Sequence, residues 1–209
     1  MLCNKSPYPP GEGGPMAMNS IVKGLLATGH NVKILAVNSE KYHINEEDIP
    51  ESYKKQTGIE LVNVDLRIKP MAAFKNLFSD KSYHVERFIS EDFNNKLIKI
   101  LKKDKYDIVQ LEMIYMAPYI ETIRRYSNAR IVLRAHNVEH LIWDRIAKKT
   151  KFLPKRWYLN HLVRTLKAYE LNAINEVDGI AAITYRDATF FRGETAVPVV
   201  DIPYGVKPE

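Results

Sequence analysis

Along this chain of 209 residues the apolar positions alternate between two periods. Met18, Ile21, Val22, Leu25 and Leu26 recur at helical spacing and stop at Gly29, a natural helix terminator; residues 32–37 then run apolar, as a buried strand does. The change of period repeats. Residues 59–66 read as a strand, residues 90–103 as a helix with Phe93, Leu97 and Leu101 inward, and residues 107–112 as a strand. A helix over 117–126 leads into a strand at 130–135. Leu159, Leu162, Val163, Leu166, Ala173, Ile174 and Val177 trace one face of a long helix, followed by small apolar strands at 178–184 and 199–202. The first strand, residues 1–4, is unusually short, as if its start lay upstream.

Short, continuously apolar strands separated by amphipathic helices call for a parallel sheet flanked on both faces, because each right-handed crossover lays its helix against the sheet. The pattern predicts a single α/β domain built on a Rossmann-like, doubly wound parallel sheet. Ligands of such sheets gather beyond the carboxyl ends of the strands, where the strand order reverses, so residues just after each strand are the functional candidates. The longer connections, 38–58 and 69–87, are either binding excursions or plain surface loops with short helices of their own.

Composition narrows the class. With 45% hydrophobic residues the chain can fill a core, which excludes a disordered or fibrous protein. Its 31 basic against 25 acidic residues give a net charge of +6, mildly attractive to phosphates, nucleic acid or acidic lipid. Cys3 is the only cysteine, so no internal disulfide forms and a reducing compartment is expected. No apolar run approaches the roughly 18 residues of a membrane span, and residues 1–10 do not read as a signal peptide. A cytoplasmic location is the expectation.

Residues 6–15, Ser-Pro-Tyr-Pro-Pro-Gly-Glu-Gly-Gly-Pro, join the first strand to the first helix. Gly13 and Gly14 let the backbone approach a ligand, and the amides of a helix start hold phosphate or carboxylate; a plain flexible turn accounts for them equally well. Met16 stands where a dinucleotide fingerprint needs its third glycine, and no Gly-Lys-Ser/Thr follows for a phosphate loop.

Arg134-Ala135-His136-Asn137-Val138-Glu139-His140 closes the fifth strand. His136 there can donate to a sugar hydroxyl or phosphate or carry a proton, or it is a buried histidine tied to a neighbouring turn. Asn137 and Glu139 stand beside it. Glu112 and Tyr115 follow the fourth strand and share the same crevice, where Glu112 binds an acceptor hydroxyl, caps a helix or pairs with Arg134. His136 and His140 are four apart, but Asn137 replaces the glutamate of H-E-x-x-H, so no metal is expected. Neither a nucleophile elbow nor a reactive cysteine supports hydrolysis by a triad.

No acidic residue occurs over 146–169, where Lys148, Lys149, Lys151, Lys155, Arg156, Arg164 and Lys167 interleave with Phe152, Trp157 and Tyr158. Contact with an anionic membrane through Lys148, Lys149, Lys151, Lys155, Arg156 and Trp157, a nucleic-acid patch, or a solvated helix face all fit. The absence of a recognition motif speaks against nucleic acid as a partner.

Read in order, Pro7-Tyr8-Pro9-Pro10 with Gly13-Gly14, residues 26–32, His136-Asn137-Val138-Glu139, Tyr169-Glu170, Asp178-Gly179-Ile180, Thr184 with Asp187, and the closing Ile202-Pro203-Tyr204-Gly205-Val206 form a recognisable series. The series resembles the amino-terminal half of a GT-B glycosyltransferase of family four. That resemblance implies an acceptor-binding domain over 1–203 and the start of a linker over 204–209, leading to a domain that holds most of a UDP or GDP sugar. It implies retention of configuration, hexosyl transfer, no metal and no cofactor beyond the nucleotide-sugar donor. Gly13 and Gly14 would approach the donor, and His136 would contact the transferred sugar. The family's phosphate-binding cations and its Glu-x7-Glu motif belong to the second domain, so this chain alone is expected to be inactive. Tyr204 and Lys207 stand where the family often has Asn and Asp. Family members commonly build polysaccharides or glycolipids on lipid-linked acceptors at the cytoplasmic face of a membrane, and the basic segment suits peripheral attachment there. A non-catalytic membrane or glycolipid-binding module is the alternative.

Overall fold

The computed structural model describes residues 1–203; the expectations placed on 204–209, including Tyr204 and Lys207, lie outside them. In chain order the elements are β1 (Leu2–Cys3), α1 (Gly13–Ala27), β2 (Leu35–Asn38), α2 (Glu51–Thr57), β3 (Glu60–Asn63), α3 (Pro70–Asn76), α4 (Tyr83–Glu86), α5 (Glu91–Lys103), β4 (Ile108–Glu112), α6 (Ile120–Tyr126), β5 (Arg130–Ala135), α7 (Glu139–Lys149), α8 (Leu153–Ala173), β6 (Gly179–Ala182), α9 (Tyr185–Glu194) and β7 (Val199–Asp201). The strands make one 7-stranded sheet in the order β3-β2-β1-β4-β5-β6-β7, with every neighbouring pair parallel. The predicted doubly wound α/β domain is the observed fold.

Alternate strand residues serve different layers. Cys3, Ile34 and Ala36 pack with Met18 and Val22 of α1 and Tyr53 of α2. Leu35, Val37, Leu111, Leu133 and Ile180 face the opposite way, into the larger core with Phe93 and Leu97 of α5, Ile123 of α6, Leu166 of α8 and Phe191 of α9. On the α1 side, Ile108 and Val200 remain more than half exposed.

Local chemistry sets the boundaries. Ser90 Oγ accepts the Phe93 amide and Glu91 and Asp92 fill the first turn of α5, while Lys102 and Lys103 end it, so both poles of the helix dipole are matched. At α9, Thr184 Oγ1 accepts the Asp187 amide at 3.1 Å and donates to the Asp187 carboxylate at 2.8 Å. Helix α1 runs out at Gly29, whose φ of 84° suits glycine.

Some expectations need adjusting. The first strand shrinks to Leu2–Cys3 and β2 begins at Leu35. The helix expected over 117–126 divides into a 3-10 stretch at Ile114–Tyr119, which contains Pro118, and α6. Pro118 has no amide to donate to an α-helical ladder, and the chain takes the tighter 3-10 turn there. The long helix starts at Leu153 and ends at Ala173, leaving Val177 in the turn before β6. Helices α7 and α9 were not expected; α9 buries only Ala188 and Phe191 among its ten residues, too little to show a stripe.

Leu111 is fully buried in the central strand, so Leu111→Ala is expected to lower stability by roughly 2–5 kcal/mol, against about 0.5 kcal/mol or less for Phe78→Ser on the surface, measured by urea unfolding.

Candidate functional site

Because all strands run the same way, their carboxyl ends share one edge, and the order reverses between β1 and β4. Register puts Cys3 beside Glu112 and Glu112 beside Arg134. The glycine turn leaves β1 and the His136 segment leaves β5, so both open on this edge with β4 between them.

Glu112 has no exposed surface, yet it is surrounded by polar partners. His136 Nε2 lies 2.7 Å from its Oε2, the Gln110 amide donates to its Oε1, and Arg134 Nε stands 3.8 Å away. Glu112 thus meets His136 rather than open groove. The His136 side chain is 7% exposed, and with Nε2 engaged its Nδ1 is the ring nitrogen left for a ligand. Arg134 is 1% exposed, and its Nε and Nη2 find no hydrogen-bond partner among the described residues. Burial pulls its guanidinium below the ordinary arginine range, and the charge of Glu112 works against that.

A second group stands behind the first. Tyr115 OH donates to Glu139 Oε2 at 2.8 Å, its ring stacked on Phe88. Asn137, exposed at the edge, reaches the other Glu139 oxygen at 3.5 Å. Burial raises the Glu139 carboxyl above its ordinary value of 4.5, with the nearby Glu170 adding to the rise and Tyr115 opposing it. Burial likewise raises the Tyr115 phenol.

Glu170 of α8 explains how α7 begins. Its two oxygens accept the backbone amides of Glu139 and His140, and Oε2 also lies 2.6 Å from His140 Nδ1. A carboxylate from another helix therefore does the work of an N-cap. His140 is held in this pair, turned to a different partner from His136. Among the described residues no three His, Cys, Asp or Glu side chains converge as metal ligands.

At the other side of the edge, Gly13 and Gly14 open α1, which has neither a side-chain cap nor an acidic residue in its first turn. A Cβ at position 14 would come within 3.1 Å of Lys5 Cε, so glycine there lets the lysine lie across the helix start. Lys5 pairs with Glu12 at 3.0 Å and stands over the Tyr42 ring. An uncapped helix start beside a cation is a natural anion seat.

Structure thus brings Glu112, Arg134 and His136 into one cluster and Tyr115, Asn137 and Glu139 into the next, with Gly13 and Gly14 across β4. Lys148, Lys149, Lys151, Lys155, Arg156 and Trp157 do not join them; they are exposed where α7 ends and α8 begins. Lys5 and Gln110 were missed as site residues, and Glu170 entered only within the Tyr169-Glu170 motif, without a role. Lys5 carried a signal, a cation directly after a strand end, whereas Glu170 lies 30 residues from His140 and nothing local links them.

Solved structures share this architecture. Arabidopsis thaliana UGT89C1 in complex with UDP-L-rhamnose matches at 11% identity with a TM-score of 0.51, over 97% of this chain and 48% of that one. The same plant protein in complex with quercetin matches at 10% and 0.51, over 100% and 51%. A sucrose-phosphate synthase from Thermosynechococcus elongatus matches at 12% and 0.50, over 98% and 87%. No protein-family model and no curated protein matches the chain by sequence. The chain spans about half the length of the plant relative. These neighbours are GT-B glycosyltransferases, and the chain has the Rossmann-like fold of one GT-B half.

The raised Glu139 carboxyl gives a testable sign. The folded state keeps that proton at pH values where the unfolded chain has released it, so its contribution to stability fades as pH climbs from 4.5 through the folded value. Glu139→Gln, which carries no titrating proton, is expected to gain stability relative to the parent as pH rises above about 4.5 in urea titrations. A difference that stays flat with pH would refute this assignment.

Proposed function

We propose that this chain is the acceptor-binding half of a retaining GT-B glycosyltransferase that moves a hexosyl group from a UDP or GDP sugar to a glycan or lipid-linked acceptor. The observation that carries the reading is His136, tied through Nε2 to the buried Glu112 on the same sheet edge as the glycine turn. The GT-B fold of UGT89C1, solved with UDP-L-rhamnose, supports a nucleotide-sugar donor.

Transfer with retention passes through an oxocarbenium-like sugar while charge builds on the departing diphosphate. The His136 ring, fixed by Glu112, meets the transferred sugar through Nδ1. The uncapped start of α1 at Gly13 and Gly14, with Lys5 beside it, offsets negative charge on the donor. Arg134, with donors unspent, stands 3.8 Å from the same Glu112 oxygen that His136 meets and adds positive potential beneath the edge. Asn137 is the exposed polar group for acceptor or sugar hydroxyls. Tyr115 and Glu139 support the loop that carries it. Positioned amides and cations do the electrostatic work here, and the reading invokes no metal.

The test assays the full-length gene product containing this chain for transfer from UDP and GDP sugars. His136→Ala is expected to reduce kcat/KM at least about tenfold, some 1.4 kcal/mol of barrier, at a temperature where circular dichroism shows the variant folded, since losing the partner of buried Glu112 also lowers stability. An active enzyme indifferent to that substitution would remove His136 from the site. Failure to bind or use any nucleotide sugar would overturn the reading as a whole.

A further inference from the structure

Beyond the His136 cluster, the carboxyl edge of the sheet opens twice more, at the ends of β2 and β3. A cleft of about 440 Å³ lies between the segment leaving β3, helices α3 and α4, and the start of α5. A second, of about 360 Å³, lies between the end of β3 and the loop that follows β2. Asn63, the last residue of β3, lines both. Each has the size of a small-molecule site, and neither is lined by a residue of the His136 cluster.

Their chemistry selects the ligand. The larger cleft carries three cations, Arg67, Lys69 and Arg87, and three carboxylates, Asp65, Glu86 and Asp92, so its formal charge sums to zero. The smaller adds Glu46 and Glu47. A phosphate, an acidic headgroup or nucleic acid needs a net positive surface and finds none here. A flat phenol or an acyl chain needs apolar walls, yet the one large apolar side chain exposed in these clefts is Ile89, at 60%. An extended peptide pairs its backbone with a strand edge, whereas the groups on offer here are side chains.

Those side chains hold one another in place. Arg67 Nε donates to Asp65 at 2.9 Å, and Arg87 Nη1 donates to the Leu66 carbonyl at 2.8 Å. Asn38 Nδ2 donates to Asn63 Oδ1 at 3.0 Å, and His43 Nε2 lies 3.3 Å from Asn45 Oδ1. A hydroxyl both donates and accepts, so fixed guanidinium, carboxylate and carboxamide groups suit a neutral ligand dense in hydroxyls, with Ile89 left for the apolar face of a sugar ring. The wall of the larger cleft is also tied to the segment after β4. Phe88 stacks on Tyr115 at 5.0 Å, and Tyr119 OH donates to the Phe88 carbonyl at 2.7 Å and accepts the Ser90 amide at 3.0 Å.

We infer that the two clefts, joined at Asn63, form a groove that holds successive units of a neutral oligosaccharide. The groove itself is independent of sugar transfer. That its ligand is the acceptor rests on the function proposed above, and it narrows that acceptor to an uncharged glycan of several units.

The chain is applied to an array of neutral and acidic glycans, from single sugars to longer chains, and bound glycans are followed in solution by saturation-transfer NMR at roughly 0.05 M and 0.5 M salt. Neutral glycans of several units are expected to be retained over single sugars and over acidic glycans, equally at both salt concentrations. Asn63 and Asp65 are exposed, so Asn63→Ala and Asp65→Asn are expected to weaken binding at least about fivefold while circular dichroism matches the parent. Asn63→Trp, which fills the junction, is expected to abolish it. In the full-length gene product Asn63→Trp is expected to raise KM for a longer acceptor and to leave kcat and the use of a single-unit acceptor unchanged. Retention of no glycan, preference for acidic glycans, or binding indifferent to Asn63→Trp would each overturn the inference. An enzyme equally efficient with single-unit and longer acceptors would overturn it too, while leaving the sugar-transfer reading in place. Glycan binding lost in Asn63→Trp, in a chain whose full-length form transfers no sugar, would support the groove and overturn that reading instead.

Discussion

A carboxylate sealed from water at the end of the central strand constrains everything around it. The Glu112 carboxyl is accommodated there because His136, the Gln110 amide and Arg134 surround it, and removing one of them would leave a buried polar group without its partner. The same need fixes the His136 ring, since its Nε2 answers the carboxylate and its other nitrogen is left to the edge. Arg134 is less completely satisfied, with two nitrogens unpartnered in a nearly sealed position. An underused guanidinium next to an ordered histidine marks a place where stability has not been maximised, as functional sites commonly show.

That cluster owes its position to topology. In the strand order, β4 lies beside β1, so the carboxylate at its end faces the glycine turn on one side and the β5 segment on the other. Helix α1 then points its uncapped start at the same edge. An open helix start, a lysine laid over Gly14 and an immobilised imidazole together suit a ligand that is anionic at one end and hydroxylated at the other.

How much of this could be read from the sequence follows physical lines. The central strands were legible because parallel strands are buried on both faces and show as unbroken apolar runs; residues 130–135 matched β5 without adjustment. Helix α5 was legible through its cap and its stripe of Phe93, Leu97 and Leu101. Helix α7 was not, because its start is capped by Glu170 from 31 residues away in the chain, and no local residue announces it. The site was half visible. Its edge followed from strand order, and His136 from standing just beyond a strand. Its pairings did not follow, since Glu112 with His136 and Glu170 with His140 are contacts across strands and helices that no spacing rule encodes.

Helices α7 and α8 connect the site to the outer surface. Glu170, near the end of α8, grips the start of α7 beside the His136 segment, while the end of α7 and the start of α8 form the basic corner. The 11 residues of α7, at about 1.5 Å each, set these two places about 16 Å apart along the helix. Glu170 therefore ties the register of α7 to α8 and, through it, the direction in which the His136 segment leaves β5.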